Sequence, residues 1–233
     1  MTTTSGPDLL IEGLIKDEAN IHRCAWCKAT PLYRNYHDSE WGFPVADERR
    51  LFEKICLEGF QAGLSWLTIL NKRENFRAAF VNFEAEQVAG FDAADVKRLV
   101  GDAGIVRHAG KIASTINNAQ RVIELRREFG SLGAFVWQFE PDAASRPERM
   151  TLNALKASTT SPASIALSKT LKKRGWSFVG PTTMHAFIQA MGLVNDHLDG
   201  CDSRKAALAA RAQFIVPALL HNGERKARRQ TLV

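Results

Sequence analysis

Soft metal ligands gather at the two ends of this 233-residue chain: Cys24, Cys27 and His37 lie in "RCAWCKATPLYRNYHDSEWG", and His197 and Cys201 lie in "GLVNDHLDGC". Any fold that uses them together must bring the N- and C-terminal segments side by side. If residues 192–201 are helical, His197 and Cys201 stand at i and i+4 on one face and can close on a single ion. With Cys24 and His37 they supply two sulfurs and two nitrogens, the donor set of a closed tetrahedral zinc site. Cys27 can replace Cys24 in this set, because Cys24-x-x-Cys27 also has ligand spacing. The competing reading is a surface histidine and a buried free cysteine. As a cross-link over most of the chain, a bound ion would restrict the unfolded state by about 5 kcal/mol. Disulfides are the other use for four cysteines, Cys24, Cys27, Cys56 and Cys201. They need an oxidising compartment, and residues 1–23 lack the charged-then-apolar layout of a secretory leader. The expected location is cytoplasmic, and no apolar run is long enough to span a bilayer.

Helix signals dominate between these ends, so an all-α fold is expected. Asp47 can cap a helix through "ERRLFEKICLEG" with Leu51, Phe52 and Ile55 inward, and Gly59 and Gly63 break the pattern before "SWLTILNKRENFRAAF". Asp92 and Asp95 resemble a capping box, and Ile112, Ile116, Ala119 and Ile123 keep helical spacing up to Gly130. Residues 138–161 are polar and proline-bearing, the best internal linker. Residues 1–22 read as a flexible extension, 23–201 as the folded domain, and 202–233 as a partly helical extension with a basic end. Lysine and arginine exceed aspartate and glutamate by 31 to 25, which permits a polyanionic partner without requiring one. The tail "GERKARRQTLV" reads as a solvated terminus with non-specific attraction to DNA.

"LSKTLKKRGWSFVGPTTMHAFIQAMG", residues 167–192, has the layout helix, glycine-bounded turn, helix, which is that of a helix-hairpin-helix. Ser161-Pro162 opens the first helix and Gly175 closes it; Gly180-Pro181-Thr182 starts the second. Glycines 175 and 180 permit close approach of a DNA backbone, and the free amides at the start of the second helix suit a phosphate. Lys172, Lys173 and Arg174 add charge that positions DNA without reading its sequence. An ordinary packed helical hairpin has the same outline.

Assembled in order, "RCAWC", "PLYRNYHDSEWG", "LFEKICLEGFQAGLSWLTILNKRENF", "DAGIVRHAGKI", "ALSKTLKKRGWSFVGPTT" and "GLVNDHLDGC" resemble the DNA-3-methyladenine glycosylase I family, from about Arg23 to Cys201. The resemblance implies an all-α, helix-hairpin-helix DNA glycosylase fold with a structural zinc joining the two terminal segments. It implies Cys24, His37, His197 and Cys201 as ligands and leaves Cys27 outside the set. The implied activity is hydrolysis of the N-glycosidic bond of 3-methyladenine in alkylated double-stranded DNA, with free 3-methyladenine as product. A base methylated at N3 carries positive charge and leaves readily, so the protein must extrude it, recognise it and admit water. Flat aromatic faces suit such a cation. Trp26, Tyr36, Trp41 and Trp66 cluster in the stretches around Cys24, His37 and Glu58; the family implies that Tyr36, Trp41, Glu58 and Trp66 line the base pocket. Glu58, the catalytic candidate, can accept a hydrogen bond from the exocyclic amino group, and Leu64 is a candidate wedge for the gap left by the flipped nucleotide.

Where related glycosylases carry an aspartate after the hairpin, the comparable residue is Asn195, with Asp196 beside it. No lysine stands near the hairpin's end to form a Schiff base, so water is the expected nucleophile and the enzyme monofunctional. Two other readings compete: a non-catalytic DNA-binding module, against which Glu58 and its aromatic neighbours count, and a hydrolase with catalytic zinc, against which four protein ligands count. A chain of this size is expected to act as a monomer, without a membrane partner.

Overall fold

The computed structural model describes residues 11–220. The basic run at 223–233 lies outside the described residues, as do residues 1–10. The chain opens with a departure from the all-α expectation. Strand β1 (Leu14–Lys16) pairs antiparallel with β2 (His22–Cys24), Leu14 opposite Cys24 and Lys16 opposite His22. Asp17 makes the turn, its carboxylate accepting from the amides of Ala19 (2.9 Å) and Ile21 (3.0 Å), a local bond that favours a turn over a helix. The hairpin carries Cys24 into a small second core with Leu14, Met150, Leu198 and Cys201. Part of the segment read as an N-terminal extension is thus packed against the far end of the chain.

The helices follow in order: α1 (Pro31–Ser39), α2 (Glu48–Gln61), α3 (Trp66–Asn71), α4 (Arg73–Ala79), α5 (Ala85–Ala89), α6 (Ala93–Gly101), α7 (Ala109–Phe129), α8 (Leu132–Val136), α9 (Leu152–Ala157), α10 (Pro162–Lys173), α11 (Pro181–Ala190) and α12 (Asp202–Gln213). Most begin where the chain offers a short polar cap. Asp47 accepts from the Arg50 amide at 2.8 Å, Asp92 and Asp95 form the expected capping box, and Ser161 caps α10 reciprocally with Ser164. Each side-chain cap satisfies an amide that the first turn leaves open.

Helix α2 is the axis of the main core. Every residue from Leu51 to Phe60 is buried, beyond the inner face of Leu51, Phe52 and Ile55 that its spacing marks. It packs against α3, α7, α8 and α11, and its surroundings are apolar enough for Phe52, Phe60, Phe76, Phe80 and Phe83 to be fully enclosed. Three of its buried residues, Glu53, Lys54 and Glu58, carry charge, and each must find a partner there. Helices α10 and α11 pack on each other across a turn that Gly175 opens at a φ of +80°. Helix α7 holds that turn: Asn118 donates to the Ser177 carbonyl at 3.0 Å and accepts from the Ser177 amide at 3.0 Å, and Asn117 donates to the Gly175 carbonyl at 2.8 Å. Residues 202–220 lie on the body, with Phe214 against Trp137 and the Leu220 amide bonded to the Phe129 carbonyl. No described helix is long and apolar enough to cross a membrane.

Candidate active site and metal centre

Helix α1 faces two sites at once, because neighbouring residues on a helix point about 100° apart. Tyr33 and Tyr36 turn toward a cavity of about 290 Å³; His37 turns the other way. The cavity is also lined by Trp26 and Trp41 from the segments flanking α1, by Glu58 and Gln61 from α2, and by Trp66 from the start of α3. Leu155 and Ser158 close one side and Ala186 and Gln189 of α11 another. The aromatic rings touch one another: Trp26 lies edge-on to Trp41 at 5.1 Å between centroids and 5.0 Å from Tyr33, while Tyr36 lies 5.2 Å from Trp66. Tyr36, Trp41, Glu58 and Trp66, which the family resemblance implies at the base pocket, and Trp26, the other aromatic candidate, therefore share one cavity.

Glu58 is 5 % exposed. Its Oε1 accepts from the Nζ of Lys54, one turn earlier on α2, at 2.7 Å. Lys54 was not among the expected site residues, because a lysine at i−4 to a glutamate usually marks a solvated helix face. Its Nζ also donates to the Tyr36 hydroxyl at 2.8 Å and sits 3.1 Å above the Trp66 ring. Burial raises the Tyr36 phenol well above its ordinary value, and the nearby Glu58 adds to this. The Trp66 Nε1 is buried without a protein partner, a donor left over at the wall of the cavity. Gln189 is tied by its amide to Asp196 at 2.8 Å, so Asp196 reaches the cavity only through another side chain. Asn195 is structural: it accepts from the His197 amide and donates to the Arg204 carbonyl.

Behind the aromatic wall, Cys24, His37, His197 and Cys201 converge, all buried, with one ligand atom from each within 4.8 Å of the others. This cluster can hold a metal ion. Cys27 is buried on a short 3-10 turn but is not part of the cluster; burial pushes its thiol up to about 12, as for a core cysteine. His37 donates from Nδ1 to Asp38 at 2.8 Å, and His197 donates from Nε2 to the Trp41 carbonyl at 2.8 Å. These bonds fix the tautomers and leave His37 Nε2 and His197 Nδ1 facing the two sulfurs. Asp38 is held in turn by Arg23 at 2.8 and 3.0 Å, and Arg23 also pairs with Asp17 of the hairpin turn. Burial opposes ionisation of Asp38, but the bonds from His37 and Arg23 outweigh it and hold its carboxyl below the ordinary value. Hydrogen bonding between the two cluster thiols eases loss of one proton from the pair and opposes loss of the second.

One expectation about this centre is corrected. His197 and Cys201 do not share a helix; residues 193–201 form a loop, and Cys201 caps α12. Gly192, at a φ of +72°, ends α11 where a Cβ would meet the Phe43 carbonyl carbon at 2.3 Å, so only glycine fits. Side-chain bonds then replace helical ones: Arg204 donates to the carbonyls of Asn195 (2.9 Å) and His197 (2.8 Å).

The residues expected at DNA lie apart from the cavity lining. Leu64 is 44 % exposed, in the turn between α2 and α3. Lys111 anchors that turn, its ammonium bonded to the carbonyls of Phe60 (2.8 Å) and Ala62 (2.7 Å). Lys172 and Lys173 are exposed at the end of α10, whereas Arg174 is paired with Glu128 at 2.7 Å and covers the Phe129 ring. Gly180 caps α11 without a side-chain bond, and Thr182 is exposed in the first turn.

A solved structure of 3-methyladenine DNA glycosylase I from Staphylococcus aureus, described as showing how that enzyme recognises 3-methyladenine, superposes with a TM-score of 0.72; it is 38% identical and covers 78% of this chain and 96% of its own. A model of the methyladenine glycosylase family matches residues 26–205, and the chain belongs to that family. It is 50% identical over 181 residues to DNA-3-methyladenine glycosylase 1 of Escherichia coli strain K12, covering 78% of this chain and 96% of the relative. It is 42% identical over 182 residues to the DNA-3-methyladenine glycosylase of Haemophilus influenzae, covering 77% and 96%.

Proposed function

We propose that this protein is a monofunctional DNA repair glycosylase that excises 3-methyladenine from alkylated double-stranded DNA, with water as the nucleophile. The observation that carries the reading is Glu58, a buried carboxylate that lines an aromatic cavity together with Trp66, whose buried Nε1 has no hydrogen-bond partner among the described residues. Neither feature serves phosphate binding. Trp26, Tyr36, Trp41 and Trp66 receive the flipped cationic base by stacking and cation–π attraction. Glu58 accepts from the exocyclic amino group and favours the base's positive charge. As the glycosidic bond breaks, the bonding electrons pass to the base, which leaves neutral, and water adds to the sugar cation and releases one proton to solvent.

Leu64 fills the gap in the duplex, and the open amides around Thr182 take a phosphate. Gly175 and Gly180 allow the backbone close, and Lys172, Lys173 and Arg174 supply charge, Arg174 while sharing it with Glu128. The folded unit includes, beyond residues 23–201, the hairpin strand Leu14–Lys16 and the segment 202–220, and the protein works as a cytoplasmic monomer.

The ion assigned to the Cys24, His37, His197 and Cys201 cluster is zinc, in a structural role. Tetrahedral zinc with Zn–N of about 2.05 Å and Zn–S of about 2.3 Å would set edges of about 3.3 Å between nitrogens and about 3.6 Å between nitrogen and sulfur. His37 Nε2 stands 3.2 Å from His197 Nδ1, and Cys201 Sγ stands 3.6 and 3.8 Å from these nitrogens. Four protein ligands would leave no position for a reacting water, and Cys24, His37, His197 and Cys201 would hold the ion so that it ties the terminal segments together behind Trp26 and Trp41.

The test is release of free bases from methylated duplex DNA by wild type and by Glu58→Gln. Wild type releases 3-methyladenine and not 7-methylguanine, and the variant is slower by about 10- to 100-fold, the worth of a hydrogen bond to a charged group. No release by the folded, zinc-loaded wild type would leave a DNA-binding module without chemistry.

A further inference from the structure

Lys54 is 5 % exposed, in the middle of a helix whose neighbouring positions Leu51, Ile55 and Leu57 are apolar. A buried ammonium costs several kcal/mol unless it is fully partnered, and an apolar chain of similar length would fill the space without that cost. This ammonium is fully partnered. Its three N–H groups meet three acceptors on three helices: the Glu58 carboxylate at 2.7 Å, the Tyr36 hydroxyl oxygen at 2.8 Å and the face of Trp66 at 3.1 Å. Those three acceptors line the base cavity, whereas Lys54 does not. It lies on the far side of the wall, in a separate polar recess.

We propose that Lys54 is a positioning residue of the base pocket, joining Glu58, Tyr36 and Trp66 through one buried ammonium and fixing the Glu58 carboxylate at the cavity wall. The proposal rests on the reading of Glu58 as the group that recognises the base. Placed behind Tyr36 and Trp66, the amine has no route to the sugar carbon and takes no covalent part. It acts by fixing the geometry of the groups that do touch the base.

Burial holds the Lys54 ammonium below its ordinary value against the opposing pull of Glu58. The other groups facing the pair are Tyr33 and Tyr36 of α1, Glu40 after it, and Arg73 of α4, which is bonded to Glu40 at 2.7 and 3.0 Å. Arg50 and Glu53 of α2 and Arg77 of α4 line the recess, and Glu53 is paired with Arg77. Among the helices packed on α2, α3 and α8 bring no titratable side chain, α7 brings Lys111, bonded to the Phe60 and Ala62 carbonyls, and Arg126, bonded to Glu48 at the start of α2, and α11 brings His185, whose pKa burial lowers. Burial pulls the Lys54 ammonium down while both tyrosines are pushed up, and the charge change that bears on Glu58 as the pH rises is loss of the Lys54 proton. Above that point Glu58 loses its cationic partner.

The experiment measures 3-methyladenine release from methylated duplex DNA by the full-length zinc protein from about pH 6 to about pH 10, for wild type, Glu58→Gln, Lys54→Met and Lys54→Arg. Wild-type release falls on the alkaline side. Lys54→Met lowers kcat/KM about tenfold or more at neutral pH, the scale of one lost charge-assisted bond. Lys54→Arg recovers most of that loss, and its alkaline fall moves out of the measured range because a guanidinium keeps its charge. A folded Lys54→Met protein as fast as wild type at every pH overturns the proposal. If Lys54→Met does not fold, the arginine variant decides alone, and an unchanged alkaline fall refutes it. Glu58→Gln at the wild-type rate would instead sink the underlying reading of Glu58.

Discussion

Asp38 touches neither the cavity nor, directly, the proposed zinc, yet the strength of the clasp should depend on it. Its carboxylate accepts from His37 Nδ1 at 2.8 Å and is held by Arg23. Loss of such a carboxylate behind a ligating histidine weakens metal binding by about 10- to 100-fold, which is about 1.4 to 2.7 kcal/mol at fixed free zinc. For a chain of this size that lowers Tm by roughly 3 to 10 °C. Asp38→Asn also breaks the Arg23 pair, whose carboxylate is 32% exposed, and solvent screening limits that cost to about 1 kcal/mol or less. The two contributions separate experimentally. Zinc affinity is read by competition with a chromophoric chelator, and Tm is measured for both proteins at buffered zinc and again in excess chelator. The zinc-dependent part of the Tm difference is the quantity of interest, and it should equal the affinity loss converted to free energy. An unchanged affinity, or a Tm difference as large in chelator as in zinc, would refute the argument. Because the Asp38 carboxyl is held below its unfolded value, its contribution is complete above about pH 4 and is lost as the pH falls through the lower folded value. In chelator, the stability gap between wild type and Asp38→Asn should therefore close as the pH is lowered below about 4.

The hairpin and its charges give further tests. Asn118→Ala removes both bonds to Ser177, and denaturant unfolding should show a loss of roughly 2 to 3 kcal/mol; a loss under about 0.5 kcal/mol would show that water replaces them freely. Lys172→Ala with Lys173→Ala should weaken binding to any duplex and reduce the slope of log K against log salt by about 1 for each phosphate no longer neutralised. An unchanged slope would place DNA elsewhere.

The sequence alone determined the features that depend on neighbours a few residues away. Asp47, the Asp92 and Asp95 box, and Ser161 with Pro162 all start helices where their chemistry requires, because a cap acts within its own first turn. The aromatic residues around Glu58 and the membership of Cys24, His37, His197 and Cys201 in one cluster were legible through the family's motifs. What tertiary structure decided was direction and partnership. His197 and Cys201 have helical spacing but meet through a loop, since Gly192 against Phe43 and Arg204 against the loop carbonyls outweigh local propensity. The hairpin of residues 14–24 was hidden because its strands are only three residues each and pack on the far end of the chain. Lys54 and Gln189 carry no site signature in the sequence, and Arg174, read there as a charge that positions DNA, is shared with Glu128. Each took its role only when α1, α3 and α4 closed over α2, when α11 met the cavity, and when Glu128 of α7 reached α10. A side chain's identity is written in the chain, but the groups it faces once water is excluded are chosen by packing between distant segments.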